Sequence, residues 1–310
     1  MKSRRRVPRI VVSACLNLFP YRYNGEIISV PVLKRLRTCF EWIPICPEVA
    51  IGLPVPRPPI RIVLESTGTG MRKRMIQTGT GRDLTDMVTR FSEQFLQTVR
   101  DVDGFVLKSR SPSCAVDDTK VFRRVDDPEP IDRTSGVFTD TVRRMLPHVP
   151  ILDETRVADP LYLDGFLTAV YMHYRWRMDV AHGRRTPTWT SRFAAWFRAY
   201  LSDDIPAQRP GGIRWSEVWS RVWAIVRNIS MYRMRTLSLL HAVHATVCRS
   251  GACGTAPPTS TADPYPPLFQ WRLHLWQQMR THPEFRYRYR AIVAPYPVSW
   301  VVRLQTAVDL

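Results

Sequence analysis

Over the first half of the chain, apolar residues fall in short runs, with helical spacing between them. RIVVSAC (9–15), WIPIC (42–46), IRIVLES (60–66) and GFVLK (104–108) are compact, mostly continuous apolar stretches. Runs of that length and composition predict buried strands. PVLKRLRTCFE (31–41) has helical spacing, and a stronger helix follows Asp83. There Leu84, Met87, Val88, Phe91, Phe95, Leu96 and Val99 make a stripe at i, i+3, i+4 spacing, with Asp83 placed as a cap. The segment TGTGMRKRMIQTGTGRD (67–83) reads as turn-rich. Alternating strands and helices predict an α/β fold. The expected organisation is a small Rossmann-like, mainly parallel sheet domain over residues 1–145, followed by a mostly helical second region over 146–310.

The length of 310 residues leaves room for both. The net charge of +18 favours a polyanionic partner, RNA or DNA ahead of a membrane surface. No apolar run approaches the ~18 residues of a membrane span. The opening MKSRRRVPRIVVSACLNLF sets a basic run before an apolar one. That apolar run is short, Pro8 and Arg9 interrupt its entry, and no small-residue cleavage site follows, which argues against a signal peptide. The expected compartment is the cytoplasm, where thiols stay reduced.

The six cysteines form no C-x-x-C pair, which removes zinc-ribbon and thioredoxin readings. Three of them share a placement. Cys15 ends RIVVSAC, Cys46 ends WIPIC, and Cys114 lies just past GFVLK in the loop SRSPSCAVDD (109–118). In a parallel sheet these strand ends lie on one edge, the edge where open α/β sheets build their sites. Cys39 falls instead on a helical pattern and reads as core or surface. Three thiolates from separate loops suit a soft metal centre. An iron–sulfur cubane with three protein thiolates leaves one iron open, and mononuclear zinc with a water in fourth place is the runner-up.

Four stretches carry a family resemblance: SACLNLFPYRYNGEII (13–28), ICPEVAIGLPVPRPPIRIV (45–63), QTGTGRDLT (77–85) and VDGFVLKSRSPSCAVDDTKVF (102–122). They resemble the thiouracil desulfidase family. The continuation LPHVPILDETRVADPLYLDGFLTAVYMHYRWR (146–177) is similar to the second domain of fused bacterial tRNA 4-thiouridine desulfidases. The resemblance implies a [4Fe–4S] cluster on Cys15, Cys46 and Cys114, and a non-redox exchange of a thione sulfur for water. It implies an acid/base role for Glu48 and a hydrogen-bonding or proton-relaying role for Ser113. Its substrate would be thiouracil or thiolated tRNA, and no obligate protein partner is inferred. Arg22, Tyr23 and Asn24 can meet the base or phosphate, or simply form a turn with Gly25 at positive φ. Arg57, set among prolines, is either a phosphate contact or a surface charge. The turn Gly79–Gly81 offers backbone N–H groups to an anion, or is only a turn. One departure stands out: the family usually has glycine where this chain has Ala115.

Beyond about residue 178 the resemblance stops. Residues 181–310 are rich in arginine, have no lysine, and hold eight of the ten tryptophans. Two readings are open: an RNA-binding helical domain, with arginines for phosphates and aromatics for stacking, or a reading frame shifted near residue 180. Helical spacing recurs in WSEVWSRVWAIVRNIS (215–230), while APPTSTADPYPP (256–267) would break helices. On the arginine excess and the proline stretch, residues 181–310 are expected not to form a well-packed domain. The leading function is an iron–sulfur-dependent desulfidase. The alternative from another class is a metal-bearing RNA-binding or sensor protein without turnover.

Overall fold

The computed structural model describes residues 7–68, 70–99, 101–181, 229–249, 272 and 274–277. The chain divides into two units, Met1–Ala158 and Asp159–Leu310.

The first unit carries two sheets. Strands β1 (Arg9–Ser13), β2 (Glu41–Ile45), β5 (Gly104–Leu107) and β8 (Ile151–Asp153) form an all-parallel sheet in the order β2-β1-β5-β8. β1 and β5 are its central strands and are almost wholly buried, which is why they read as unbroken apolar runs. Pro44 lies in β2, at an edge of the sheet, where a strand can lack one N–H. The helix α1 spans Pro31–Arg35, shorter than its periodicity suggested, and the chain then turns through Cys39 into β2.

The second sheet runs β4-β3-β6-β7 and is mixed. β3 (Ile60–Thr67) pairs antiparallel with β4 (Gly70–Gln77) and parallel with β6 (Thr119–Phe122), which pairs antiparallel with β7 (Asp132–Thr134). So the third expected strand joins a different sheet from the other three, and the turn-rich segment holds a strand of eight residues.

The helix α3 (Thr85–Thr98) joins the two cores. Leu96 packs with Val11, Phe105 and Phe138 under the parallel sheet, and Val88 packs with Ile62, Met75 and Val121 under the mixed one. Asp83 lies just ahead of this helix and accepts the Thr85 N–H at 2.9 Å. Three more helices complete the unit: α2 (Pro47–Ala50), α4 (Val137–Met145) and α5 (Glu154–Val157). Residues 146–158, which the sequence placed in the second region, carry β8 and α5 and complete the parallel sheet.

In the second unit, α6 (Pro160–Ala181) and α7 (Ile229–Arg249) meet around a buried polar group. Asp164 accepts from Tyr232 Oη at 2.5 Å and from Arg272 Nε at 2.9 Å, all three side chains being buried. Leu240, Val243 and Leu275 are buried too. In its described part, therefore, the segment after residue 181 departs from the expectation of an unpacked tail. One of its arginines is drawn inside by a carboxylate. The proline stretch 256–267 and residues 215–228 lie outside the described residues. No helix among the described residues is long and apolar enough to cross a membrane.

Candidate functional site

The sheet order brings the three singled-out cysteines together. β2, β1 and β5 are neighbours, and Cys46, Cys15 and Cys114 follow their carboxyl ends. The chain leaves β1 toward β2 on one side and returns to β5 on the other, so the edge between them is a topological switch point. Cys39 precedes the amino end of β2 and so belongs to the opposite edge. Cys248 belongs to α7 in the other unit, and Cys253 lies outside the described residues.

Each of the three thiols is set by local structure. Cys15 occupies a turn whose continuation is folded over by Asn17. Asn17 adopts φ 63°, a conformation asparagine tolerates, and its side-chain amide clasps both the N–H (2.7 Å) and the carbonyl (2.8 Å) of Val30. Cys46 is the N-cap of α2, with Pro47 at the first helical position. Its thiol reaches toward the Tyr21 carbonyl at 3.8 Å. Cys114 lies in the loop after β5 and is 5% exposed.

All three thiols are raised above their ordinary value. Burial is the leading cause in every case. Cys15 is pushed up to about 12 by burial and then by Cys46, with Lys108 opposing. Cys46 is raised by burial and by Glu48, with Arg57 opposing. Cys114 is raised well above the usual thiol range by burial and by its neighbours Cys46, Cys15 and Glu48, with a hydrogen bond from Ser13 opposing. Cys46 bears on Cys15 and Cys114, and Cys15 on Cys114, so the three thiols share one electrostatic neighbourhood.

Beside the thiols sits a buried polar set. Glu48 projects from the first turn of α2. Its Oε2 takes Arg57 Nε at 2.8 Å and Arg57 Nη2 at 2.6 Å, and its Oε1 accepts the Ser113 hydroxyl at 2.8 Å. The Ser113 side chain is inaccessible, and Glu48 and Arg57 are each 6% exposed. Arg57 also donates to the Tyr21 carbonyl at 3.0 Å. Its guanidinium is therefore turned inward onto Glu48. That corrects the reading of it as a surface charge. A carboxylate held this deep draws in the cation that neutralises it.

Arg22, Tyr23 and Asn24 lie on the loop that covers Arg57, and the Tyr23 carbonyl accepts the Arg57 N–H at 2.8 Å. Their side chains face outward. Tyr23 is 41% exposed, Arg22 lies over its ring at 5.3 Å and pairs with Glu26, and Asn24 accepts the Glu26 N–H. Gly25 has φ 79°, as expected for the turn. The Gly79–Gly81 turn uses the Gly81 N–H on the Gln77 carbonyl. Ala115 is fully buried and is not among the residues with positive φ, so its methyl sits on ordinary backbone.

Three polar residues at the same edge escaped the sequence reading. Ser13, the last residue of β1, accepts the Lys108 N–H at 2.9 Å. Lys108 Nζ meets Glu154 Oε1 at 2.6 Å, and Glu154 also takes the Ser109 N–H at 2.6 Å. Each sits at the carboxyl end of a sheet strand, and that position is the signal that could have found them.

The donor chemistry bears on what the site can hold. A mononuclear zinc site needs every donor within about 2.3 Å of one ion. Among the described residues, no group of three or more His, Cys, Asp or Glu side chains is placed to hold such an ion. A cubane takes one thiolate per iron, which asks for separated soft donors around a hollow rather than donors converging on a point. Three cysteines from three loops supply three such thiolates.

On these features the protein is an α/β protein that gathers three thiols at the carboxyl edge of a parallel sheet. The family model described as 2-thiouracil desulfurase matches residues 10–154, the span that builds this site. The uncharacterized protein YbbK of Bacillus subtilis (strain 168) is 30% identical over 110 residues, 34% of this chain and 72% of that protein. The chain belongs to the 2-thiouracil desulfurase family. A solved structure described as [4Fe-4S]-dependent thiouracil desulfidase TudS is 26% identical, covering 49% of this chain and 94% of its own, with a TM-score of 0.36.

Proposed function

We propose that this chain is an iron–sulfur-dependent desulfidase that removes sulfur from a thiolated uracil, with a [4Fe–4S] cluster held by Cys15, Cys46 and Cys114. The observation that carries this reading is the meeting of three thiols from adjacent strand ends with a buried Glu48–Ser113 hydrogen bond. When bound, such a cluster supplies an iron without a protein ligand, suited to a soft sulfur donor.

The remaining chemistry falls to the chain. The net reaction adds water at the thione carbon, breaks the C–S bond, and releases hydrosulfide without electron transfer. Protons must move from the water to the leaving sulfur and the ring. Glu48 and Ser113 form a ready relay, since the carboxylate Oε1 already receives the hydroxyl proton's hydrogen bond. Arg57 binds only the other oxygen, so it fixes the carboxylate's angle and leaves Oε1 to face Ser113. Tyr23, Arg22 and Asn24 offer an outer rim for the base or its phosphate. The positive charge of the chain supports 4-thiouridine in tRNA as a substrate beside free thiouracil.

The test is anaerobic purification with iron and acid-labile sulfide analysis. It is followed by sulfide release from 2-thiouracil, from 4-thiouracil and from tRNA containing 4-thiouridine. The expected result is a brown protein with about four irons per chain that releases sulfide. A colourless protein carrying one zinc and releasing none would contradict this function and favour a binding or sensor role.

A further inference from the structure

Cys114 lies in no regular element, yet its backbone is held by one short segment. Four consecutive carbonyls of its loop accept hydrogen bonds from residues 136–139. Val137 N–H reaches the Pro112 carbonyl at 3.1 Å, Phe138 N–H the Ser113 carbonyl at 2.9 Å, and Gly136 N–H the Ala115 carbonyl at 2.9 Å. The fourth bond is made by a side chain: the Thr139 hydroxyl donates to the Cys114 carbonyl at 2.9 Å, both residues being buried. These donors belong to the N-cap and first turn of α4, whose N–H groups have no partner within the helix.

The approach is close. A Cβ at Gly136 would stand 2.3 Å from the carbonyl carbon and oxygen of Ser113 and 2.7 Å from Cys114 N. Gly136 has φ −73° and ψ 159°, which any residue can adopt. Glycine is thus required here for space and not for backbone conformation. α4 is itself tied to the mixed sheet, because Lys73 of β4 holds the Ser135 carbonyl at 3.2 Å and pairs with Asp140. The loop that carries the third thiol is therefore referenced to both sheets at once.

We propose that Gly136 and Thr139 are positioning residues that set Cys114 and Ser113 as one rigid unit at the sheet edge. Gly136 does this by permitting backbone contact, and Thr139 by bonding the carbonyl of the thiol-bearing residue itself. The proposal rests on the reading of Cys114 as a cluster ligand, but its first test does not depend on a cluster.

That test is the alkylation rate of Cys114 by iodoacetamide in the full, metal-free chain. Peptide mass spectrometry resolves the site, with buried Cys39 on the opposite edge as internal reference. Thr139→Val removes the hydroxyl at nearly constant size and leaves the Cys114 carbonyl unpaired. The Cys114-to-Cys39 rate ratio should rise by about tenfold or more as the loop opens locally, and Thr139→Ser should restore it. Gly136→Ala should raise it further. In the iron-matched loaded protein, the visible circular dichroism should shift in Thr139→Val and return in Thr139→Ser. An unchanged ratio in Thr139→Val would overturn the proposal, because general destabilisation speeds both cysteines together. A rise that Thr139→Ser does not reverse would also overturn it. Should Gly136→Ala fail to fold, the Thr139 pair still decides. Should even the unaltered chain hold no cluster, the desulfidase reading fails while the labelling ratio still reports on Gly136 and Thr139.

Discussion

Glu48 divides its two oxygens between two duties. Oε2 is spent on Arg57, and Oε1 faces Ser113. A positioned acid/base contributes about a hundredfold to ten-thousandfold, so Glu48→Gln should cut sulfide release by at least ~100-fold at matched iron content. Ser113→Ala deletes one hydrogen bond and should be milder. Full single-turnover activity in iron-matched Glu48→Gln would remove the carboxylate from the mechanism. Arg57 gives a separate prediction. Arg57→Met strands a buried carboxylate, and breaking such a pair costs about 3–5 kcal/mol, so urea unfolding should show a loss of that order. A stability equal to the unaltered chain would mean that Glu48 does not need its partner. The sequence made Glu48 legible through its place beside Cys46, two residues before it. It did not reveal where Arg57 turns, because a residue among Pro56, Pro58 and Pro59 has no periodicity to orient it. Burial of its guanidinium follows from contact with an acid nine residues away in sequence, visible only in three dimensions.

Among elements, the strands at the centre of the parallel sheet were the most legible. β1 and β5 are covered on both faces, so their apolar content is continuous. β4 was hidden. Its Arg72, Lys73 and Arg74 break any apolar pattern, and it forms because all eight residues pair with β3. Those cations are then used locally: Arg74 pairs with Asp83 and Glu65, and Lys73 anchors Ser135. Asp83 in turn ties β4 to the start of α3. Burial pulls its carboxyl upward, but hydrogen bonds from Thr85 and Arg74 outweigh that and hold it below its usual value. A folded-state value below the unfolded one stabilises the protein above the unfolded value, and that contribution fades as pH falls through the folded one. Asp83→Asn should therefore cost about 1 kcal/mol at pH 7, allowing for its partial exposure, and less near pH 3. Chemical denaturation at the two pH values checks this, and an equal penalty at both would show that the charge is not what matters.

For the whole molecule, the arrangement of function is simpler than its sequence suggests. The matched residues 10–154 nearly coincide with the first compact unit, and every proposed site residue lies within it. The second unit contributes a helical body centred on Asp164, Tyr232 and Arg272. Its arginine-rich composition gave no hint that one arginine would be interior, since long-range pairing with α6 decides that. The three cysteines come together through topology: parallel strands put their ends on one edge, so cysteines far apart in sequence meet. The central claim is that Cys15, Cys46 and Cys114, and not Cys39, hold the cluster. The most direct measurement is iron and acid-labile sulfide per chain, with the visible spectrum, in four anaerobically purified single Cys→Ser variants. Serine at 15, 46 or 114 should strip the iron and bleach the visible absorbance, while Cys39→Ser should retain both. A bleached Cys39→Ser protein beside a brown Cys15→Ser protein would contradict the account.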